Sequence, residues 1–138
     1  MSQKQKNMSG GEAIVDALVR HGVDTVFGIP GVQLDPLFDA LYDAQNRVRV
    51  IHTRHEQGAG YMALGYAQAT GRVGTAIVVP GPGLLNASAA IATGYALNSR
   101  MLCIAGQIPS SLIGRGTGQL HELPDQLAIA SGLTKFAK

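Results

Sequence analysis

The segment from residue 52 to residue 60, HTRHEQGAG, places two histidines beside a single carboxylate, Glu56. Apolar residues 48–51 precede it and a small-residue helical pattern follows over 59–70, so Glu56 is predicted at or just before the first turn of a helix. The free N–H groups and the positive end of the helix dipole stabilise a carboxylate there. Glu56 is therefore either a helix cap, with a structural role only, or a residue that takes part in binding or catalysis.

Three familiar kinds of catalytic or binding site fit the sequence poorly. Residues 80–83, PGPG, lack the G-x-G-x-x-G spacing and a following Walker lysine that would bind phosphate. A strand-to-helix transition separates His52 from His55 and Glu56, so no metal site is predicted. Cys103 lies mid-strand and is predicted to be core. A lone carboxylate could instead accept a hydrogen bond from the ring nitrogen of a heteroaromatic ligand.

The elements that must position these residues alternate strictly along the chain. Strands are predicted over 25–29, 48–51, 74–79, 101–105 and 134–137, and helices after a Ser9 capping box, from Asp35, and over 59–70, 86–97 and 124–130. Alternation over short connections predicts an α/β fold, a three-layer sandwich with a parallel sheet and helices on both faces.

In such a sheet the loops that follow the strands gather at one edge, where ligands bind. Here these loops are residues 28–31, 52–56, 80–83 and 106–119. Three of the four are rich in Gly and Pro, which lets the backbone approach a flat ligand, although tight turns alone would need the same residues. With the lone acid among them, the four loops predict a binding site at this edge.

Composition limits the partners and the compartment. Charged residues make up 14% of the chain, against roughly 25% in an average domain, so we expect part of the surface to meet another chain or domain. A net charge of +2, no Trp and no basic run argue against nucleic acid. A single cysteine favours a reducing, cytoplasmic compartment, and no apolar run suits a membrane. Residues 1–8 are predicted to be a flexible polar tail and residues 9–138 one domain.

Five motifs, in this order, resemble the thiamine-diphosphate-dependent enzymes of the acetolactate synthase and 2-oxo acid decarboxylase type. The motifs are VFGIPG at 26–31, RHEQG at 54–58, GYAQATG at 65–71, PGPGLLN at 80–86 and GQIPSSLIG at 106–114. The resemblance covers residues 9–138 and is to the N-terminal, pyrimidine-binding domain. The central and diphosphate-binding domains of the family have no counterpart in this sequence.

The resemblance implies a role for each matching residue. Glu56 would accept a hydrogen bond from N1′ of the aminopyrimidine, favouring the imino tautomer whose 4′ nitrogen takes the proton from the thiazolium carbon. The cofactor-binding residues implied are Glu56, Pro80, Gly81 and Asn86, although Asn86 could equally serve only as the cap of the next helix. The substrate-pocket residues implied are Ile29, Pro30, Gly31, Val32 and Gln119.

Several neighbours depart from the family pattern or have lesser expected roles. His121 and Glu122 have no clean counterpart and are predicted to be loop residues rather than proton-transfer groups. His55 is expected at most to support Glu56, and Arg54 to form an interface or structural salt bridge. Val32 and an apolar Val79 stand where benzoylformate decarboxylase-like enzymes carry Ser and His, so the 2-oxo acid stays open.

The resemblance implies one part of a decarboxylase or carboligase, a lyase or transferase, that is inactive alone. Its thiamine diphosphate and Mg²⁺ would be held through a diphosphate-binding domain of the same or another chain, in a homo-oligomer. Whether FAD is present is left open, because it would depend on the central domain. A separately encoded small subunit and a non-catalytic assembly or regulatory domain are the alternatives; Glu56 and residues 80–86 argue against the latter.

Overall fold

A computed structural model describes residues 7–138, so the predicted tail lies largely outside the described residues. The strands are β1 (Thr25–Gly28), β2 (Arg49–His52), β3 (Gly74–Val78) and β4 (Met101–Ala105), and the helices are α1 (Gly10–Arg20), α2 (Asp35–Asp43), α3 (Glu56–Thr70), α4 (Pro82–Ala96) and α5 (Gln126–Ser131). Short 3-10 turns lie at Val32–Leu34 and Ser110–Leu112. The strands are all parallel, in the order β2-β1-β3-β4.

The two faces of the sheet bury alternate side chains of the same strands. Val26 and Ile77 pack with α1 and α2, through residues such as Leu18 and Leu41. On the opposite face Phe27 packs with α3, while Val78 of β3 packs with α4. Because successive side chains of a strand point to opposite sides, short apolar strands supply both cores. The predicted three-layer sandwich is confirmed.

Small residues allow α3 and α4 to lie unusually close together. Gly60 of α3 faces Ala87 and Ala90 of α4, and a Cβ at position 60 would lie 2.7 Å from the Cβ of Ala90. Ala63, further along α3, is fully buried. Because α3 and α4 each follow a strand of a parallel sheet, their first turns lie at the same edge, and the small residues let the two helices approach closely.

One helix start differs from the sequence prediction. Helix α4 begins at Pro82 rather than residue 86, because Gly81 adopts a left-handed φ of 59° and Pro82 suits the first helical position. Helix α3 begins at Glu56, in agreement with the expectation that this residue lies at or just before the first turn. Its cap is His55, whose Nδ1 accepts a hydrogen bond from the Gln57 N–H at 3.2 Å.

The predicted strand over 134–137 is wrong. The Thr134 hydroxyl hydrogen-bonds to the carbonyls of Ala130 and Phe136 at 2.8 and 3.0 Å, which holds the chain in a local turn after α5. A strand also needs a neighbour to pair with, and no strand of residues 7–138 pairs with this segment. Local side-chain bonds of this kind compete with ladder formation.

The opposite end of α3 is tied to the start of β1. The Tyr66 hydroxyl donates to Asp24 Oδ1 at 2.7 Å, and Arg72 contacts the same carboxylate and donates to the Gly22 carbonyl at 3.0 Å. The hydrogen bond from Tyr66, assisted by Arg72, holds the pKa of Asp24 below its usual value.

Across residues 7–138, no helix combines the length and apolar character that crossing a bilayer requires.

The close approach of α3 and α4 predicts opposite effects for two glycines of one helix. Gly65→Ala should raise the free energy of unfolding by about 0.5–1 kcal/mol, because its Cβ would meet nothing within 4 Å. Gly60→Ala should lower it by about 1–2 kcal/mol, since overlap with Ala90 outweighs the gain in helix propensity. Urea unfolding of both variants measures this; equal stabilisation would contradict the packing.

Candidate functional site

Glu56 is the first residue of α3 and is partly buried. Its Oε2 accepts a hydrogen bond from Asn86 Nδ2, on the facing side of α4, at 3.0 Å. No described residue hydrogen-bonds to Oε1. Oε2 is therefore held in place, while Oε1 can still accept a hydrogen bond from a ligand. The sequence-based expectation of a carboxylate at a strand-to-helix junction is met.

Asn86 does not cap a helix, so the capping role considered for it is wrong. It lies in the second turn of α4, because the Pro82 start places the helix terminus one turn earlier. Its side chain is thereby directed at Glu56 instead of at its own backbone. An amide donor to a carboxylate is a charge-assisted bond, and it restricts the rotamer of Glu56.

Two glycines bring the loops after β1 and β3 together around Val79. A Cβ at Gly31 would lie 2.5 Å from Cγ1 of Val79, and a Cβ at Gly83 would lie 2.6 Å from its Cγ2 and 3.5 Å from Cγ of Glu56. Val79 is 8% exposed, so its side chain is almost fully buried between these two glycines. A larger side chain at either glycine would displace Val79.

Gly81 is enclosed by other parts of the chain on its N–H, its carbonyl and its Cα. Its N–H donates to Gln126 Oε1 at 2.9 Å, and its carbonyl accepts from the N–H of Leu85 at 3.0 Å. The carbonyl of His121 packs against the Cα so closely that a Cβ would overlap it. The buried peptide at Gly81 is therefore satisfied on both sides by the protein.

The segment 119–122 is fastened to the loop after β1 through Gln33. The Gln33 Nε2 donates to the Leu120 carbonyl at 2.9 Å, so Oε1 faces His121 Nδ1 at 3.2 Å. An amide oxygen only accepts, so this contact requires the hydrogen on Nδ1. Glu122 accepts from the Gln119 N–H at 2.8 Å, a loop-closing role that agrees with the loop assignment.

A cleft of about 330 Å³ lies between these segments. It is lined by Val32, Gln33, Gln107, Pro109, Gln119 and Leu120. The structure thus brings two of the expected pocket residues, Val32 and Gln119, to one cleft, although Val32 is 70% exposed. Ile29, Pro30 and Gly31 are not among the lining residues, because Gly31 is drawn against Val79. Glu56 lies outside this lining as well.

Two glutamines of the site were missed by sequence reasoning. Gln33 directly follows the expected pocket residues 29–32, and that adjacency was the available signal. Gln126 had no comparable signal, since a glutamine at the start of a short helix matches no chemical motif. Arg54, expected in a salt bridge, forms no ion pair among residues 7–138; an interface contact remains a prediction.

Other chemistry finds little support at this edge. Burial raises the pKa of the Cys103 thiol to about 11, which suits a core residue and not a nucleophile. Among the described side chains, no three of His, Cys, Asp or Glu come together in a way that could hold a metal ion.

Comparison with known proteins assigns the class. Residues 8–129 match the family described as thiamine pyrophosphate enzyme, N-terminal TPP binding domain, where TPP is thiamine diphosphate. The match covers most of the chain, so the chain belongs to this family. The resemblance to acetolactate synthase-like enzymes, predicted from five motifs, is confirmed.

Particular relatives agree with this class. The chain is 44% identical over 135 residues to a probable 2-ketoarginine decarboxylase of Pseudomonas aeruginosa, covering 98% of this chain and 24% of that protein. It is 42% identical to the acetolactate synthase of Arthrospira platensis and 45% identical to the acetolactate synthase large subunit of Corynebacterium glutamicum, covering 81% and 82% of this chain and 20% and 18% of those proteins. The chain thus spans at most a quarter of the length of these relatives.

The contact of Gly81 with His121 predicts that alanine at position 81 lowers the free energy of unfolding by more than alanine at another glycine with positive φ. Gly22 and Gly81 both have positive φ, 75° and 59°, but only Gly81 has a neighbour where a Cβ would go. Gly22→Ala should therefore lose about 1–2 kcal/mol of unfolding free energy, the conformational cost alone. Gly81→Ala should lose about 1–3 kcal/mol more, because its Cβ would overlap the His121 carbonyl and its ψ of −113° also lies outside the αL region. Denaturant unfolding compares the two; equal losses would contradict the contact with His121.

Proposed function

We propose that this domain binds the aminopyrimidine half of thiamine diphosphate in a 2-oxo acid decarboxylase or carboligase, with Glu56 accepting a hydrogen bond from N1′ of that ring. The observation that carries the proposal is the Glu56 carboxylate, held by Asn86 on one oxygen and open on the other. When bound, the cofactor supplies a nucleophilic carbon and an electron sink. The protein supplies the orientation of one charged acceptor.

The residues around Glu56 fit a flat heteroaromatic ring. Gly81 and Gly83 carry no Cβ, and the space that a Cβ would fill is taken by the His121 carbonyl and by Val79, so the turn beside the carboxylate is tightly packed. Pro80 is buried and has no N–H that would need a partner there. Partial burial of Glu56 among apolar residues limits competition from water for the ring nitrogen. In this arrangement Asn86 orients the carboxylate, and Pro80 and Gly81 are proposed to lie along the ring.

The substrate is proposed to be a small 2-oxo acid. The cleft offers three neutral amides, on Gln33, Gln107 and Gln119, which can donate to a carboxylate or a ketone. Ile29, Pro30, Gly31 and Val32 belong to the loop that borders it. Similarity to a probable 2-ketoarginine decarboxylase and to acetolactate synthases supports this substrate class.

The diphosphate and its Mg²⁺ are proposed to be bound outside this chain, by a diphosphate-binding domain of the same or a second polypeptide. The length of the relatives, of which this chain spans at most a quarter, supports this division. The 138-residue chain is then inactive until that domain is added, whether the domain is covalently attached or a separate subunit.

Glu56→Gln tests the role of the carboxylate in the enzyme completed by a diphosphate-binding domain. Exchange of the C2 proton of bound thiamine diphosphate into D₂O and release of CO₂ from pyruvate should both slow by roughly 10²–10⁴-fold, the usual range for a lost proton-transfer group. Asp39→Asn, which neutralises an exposed carboxylate on α2, is the control and should change neither rate. An unchanged rate of C2 proton exchange in Glu56→Gln would contradict the proposal.

A second copy of the chain is proposed to cover the exposed apolar side chains of α3 and α4. These are Tyr61, Met62, Leu85 and Tyr95. The Tyr61 hydroxyl lies 3.4 Å from Thr93 Oγ1, so the two helices present one continuous surface. The low charged fraction, 14%, also favours a covered face over a solvated one.

Lysine substitutions test this self-association. Tyr61→Lys and Leu85→Lys should each weaken it about tenfold or more, since burying an unpaired ammonium costs at least 1.4 kcal/mol, roughly one decade in Kd. Tyr42→Lys replaces a tyrosine that is 71% exposed on α2 and should have no effect. Sedimentation velocity over a concentration series measures the Kd. Association that survives both substitutions would place the interface elsewhere.

A further inference from the structure

One side chain joins two of the loops that form the binding edge. Gln126, the first residue of α5, accepts a hydrogen bond from the Gly81 N–H at 2.9 Å and donates one to the Gly106 carbonyl at 2.9 Å. Gly81 opens α4 after β3, and Gly106 follows β4 directly. A primary amide has a donor and an acceptor in one plane, so it can satisfy both backbone groups at once.

We propose that Gln126 is a positioning residue for cofactor binding, acting through the peptide of Gly81. This inference rests on the proposed function, in which Gly81 contacts the aminopyrimidine. By accepting from the Gly81 N–H, Gln126 holds the left-handed turn in which α4 begins. That turn sets where Gly83 and Asn86 lie, and therefore how Asn86 meets Glu56.

The bond matters because Gly81 is buried and its N–H has no other acceptor among the described residues. As the residue preceding the first turn of α4, it cannot donate within that helix. Loss of the Gln126 acceptor would leave a buried donor unsatisfied, which the loop can relieve only by rotating the peptide or opening to water. Either change moves the glycine surface beside Glu56.

Helix α5 has anchors of its own, so Gln126 is not needed to attach it. Asp125 caps the helix by accepting from the Ala128 N–H at 2.8 Å. Ala130 and Leu133 pack against the buried cluster of Val78, Leu84, Ala87 and Ile91. Removing the amide of Gln126 leaves these contacts intact. Its effect should thus fall on the loops at Gly81 and Gly106 rather than on the docking of α5.

Two variants separate the bond to Gly81 from the bond to Gly106. Gln126→Met keeps the side-chain length and removes both bonds, whereas Gln126→Glu keeps an acceptor for the Gly81 N–H and loses the donor to Gly106. Gln68→Met makes the same chemical change at an exposed position of α3 and is the matched control.

Amide hydrogen exchange at Gly81 and the Kd for thiamine diphosphate, measured with Mg²⁺ in the enzyme completed by its diphosphate-binding domain, provide the readouts. In Gln126→Met we expect exchange at Gly81 to be at least tenfold faster and the Kd to rise at least fivefold. Gln126→Glu should retain most of the protection and affinity, and Gln68→Met should match the wild type. At saturating cofactor, kcat of Gln126→Met should fall less than its affinity.

The outcomes that overturn the proposal are distinct. Unchanged Kd or unchanged Gly81 exchange in Gln126→Met would refute positioning through Gly81. If Gln126→Met and Gln126→Glu lost the same cofactor affinity and the same protection of the Gly81 amide, the effect would come from the bond to Gly106 alone. That result would also refute positioning through Gly81. If the wild-type enzyme binds cofactor and depends on Glu56, only the Gln126 proposal falls; if the wild type binds none, the proposed function falls with it.

Discussion

The hydrogen bond between Asn86 and Glu56 depends on how closely two helices approach each other. Glu56 begins α3, and Asn86 lies one turn into α4. A primary amide spans the distance to the carboxylate only because Gly60 and Ala90 let the helix axes come together. Larger side chains at this crossing would separate the two residues. The site geometry is thus a consequence of small-residue packing some distance from the site itself.

A second constraint acts where the strands end. Val79 fits between Gly31 and Gly83, so the loops after β1 and β3 are in contact through the absence of two Cβ atoms. Glycine is required here for space, since the φ of Gly31 is extended and open to any residue. The same packing brings the backbone of Gly83 close to Glu56, since a Cβ at Gly83 would lie 3.5 Å from Cγ of that residue.

Apolar periodicity predicted the four strands of the sheet, but it also predicted a fifth that does not form, and it did not predict the details of the site. Strand 101–105 was predicted at its observed bounds, because a short continuous apolar run between turn signals is typical of a buried strand. The start of α4 was misplaced, since the left-handed Gly81 and Pro82 begin a helix in residues that pattern reading assigns to a turn. Segment 134–137 has strand propensity, yet pairing is a tertiary property that composition does not report.

The hydrogen bonds of Gln33 and Gln126 explain why these two residues were not predicted from the sequence. Glu56 was identifiable because a carboxylate in an apolar stretch must either be satisfied or be used. Gln33 and Gln126 are neutral, and glutamine is common on surfaces, so apart from the position of Gln33 next to residues 29–32 the sequence does not separate them from solvated side chains. Their importance comes from what they bridge: Gln33 joins the loop after β1 to residues 120 and 121, and Gln126 joins the loops after β3 and β4. Because each amide satisfies two partners that lie far apart in sequence, only the folded chain shows that three strand ends are held together by two glutamines.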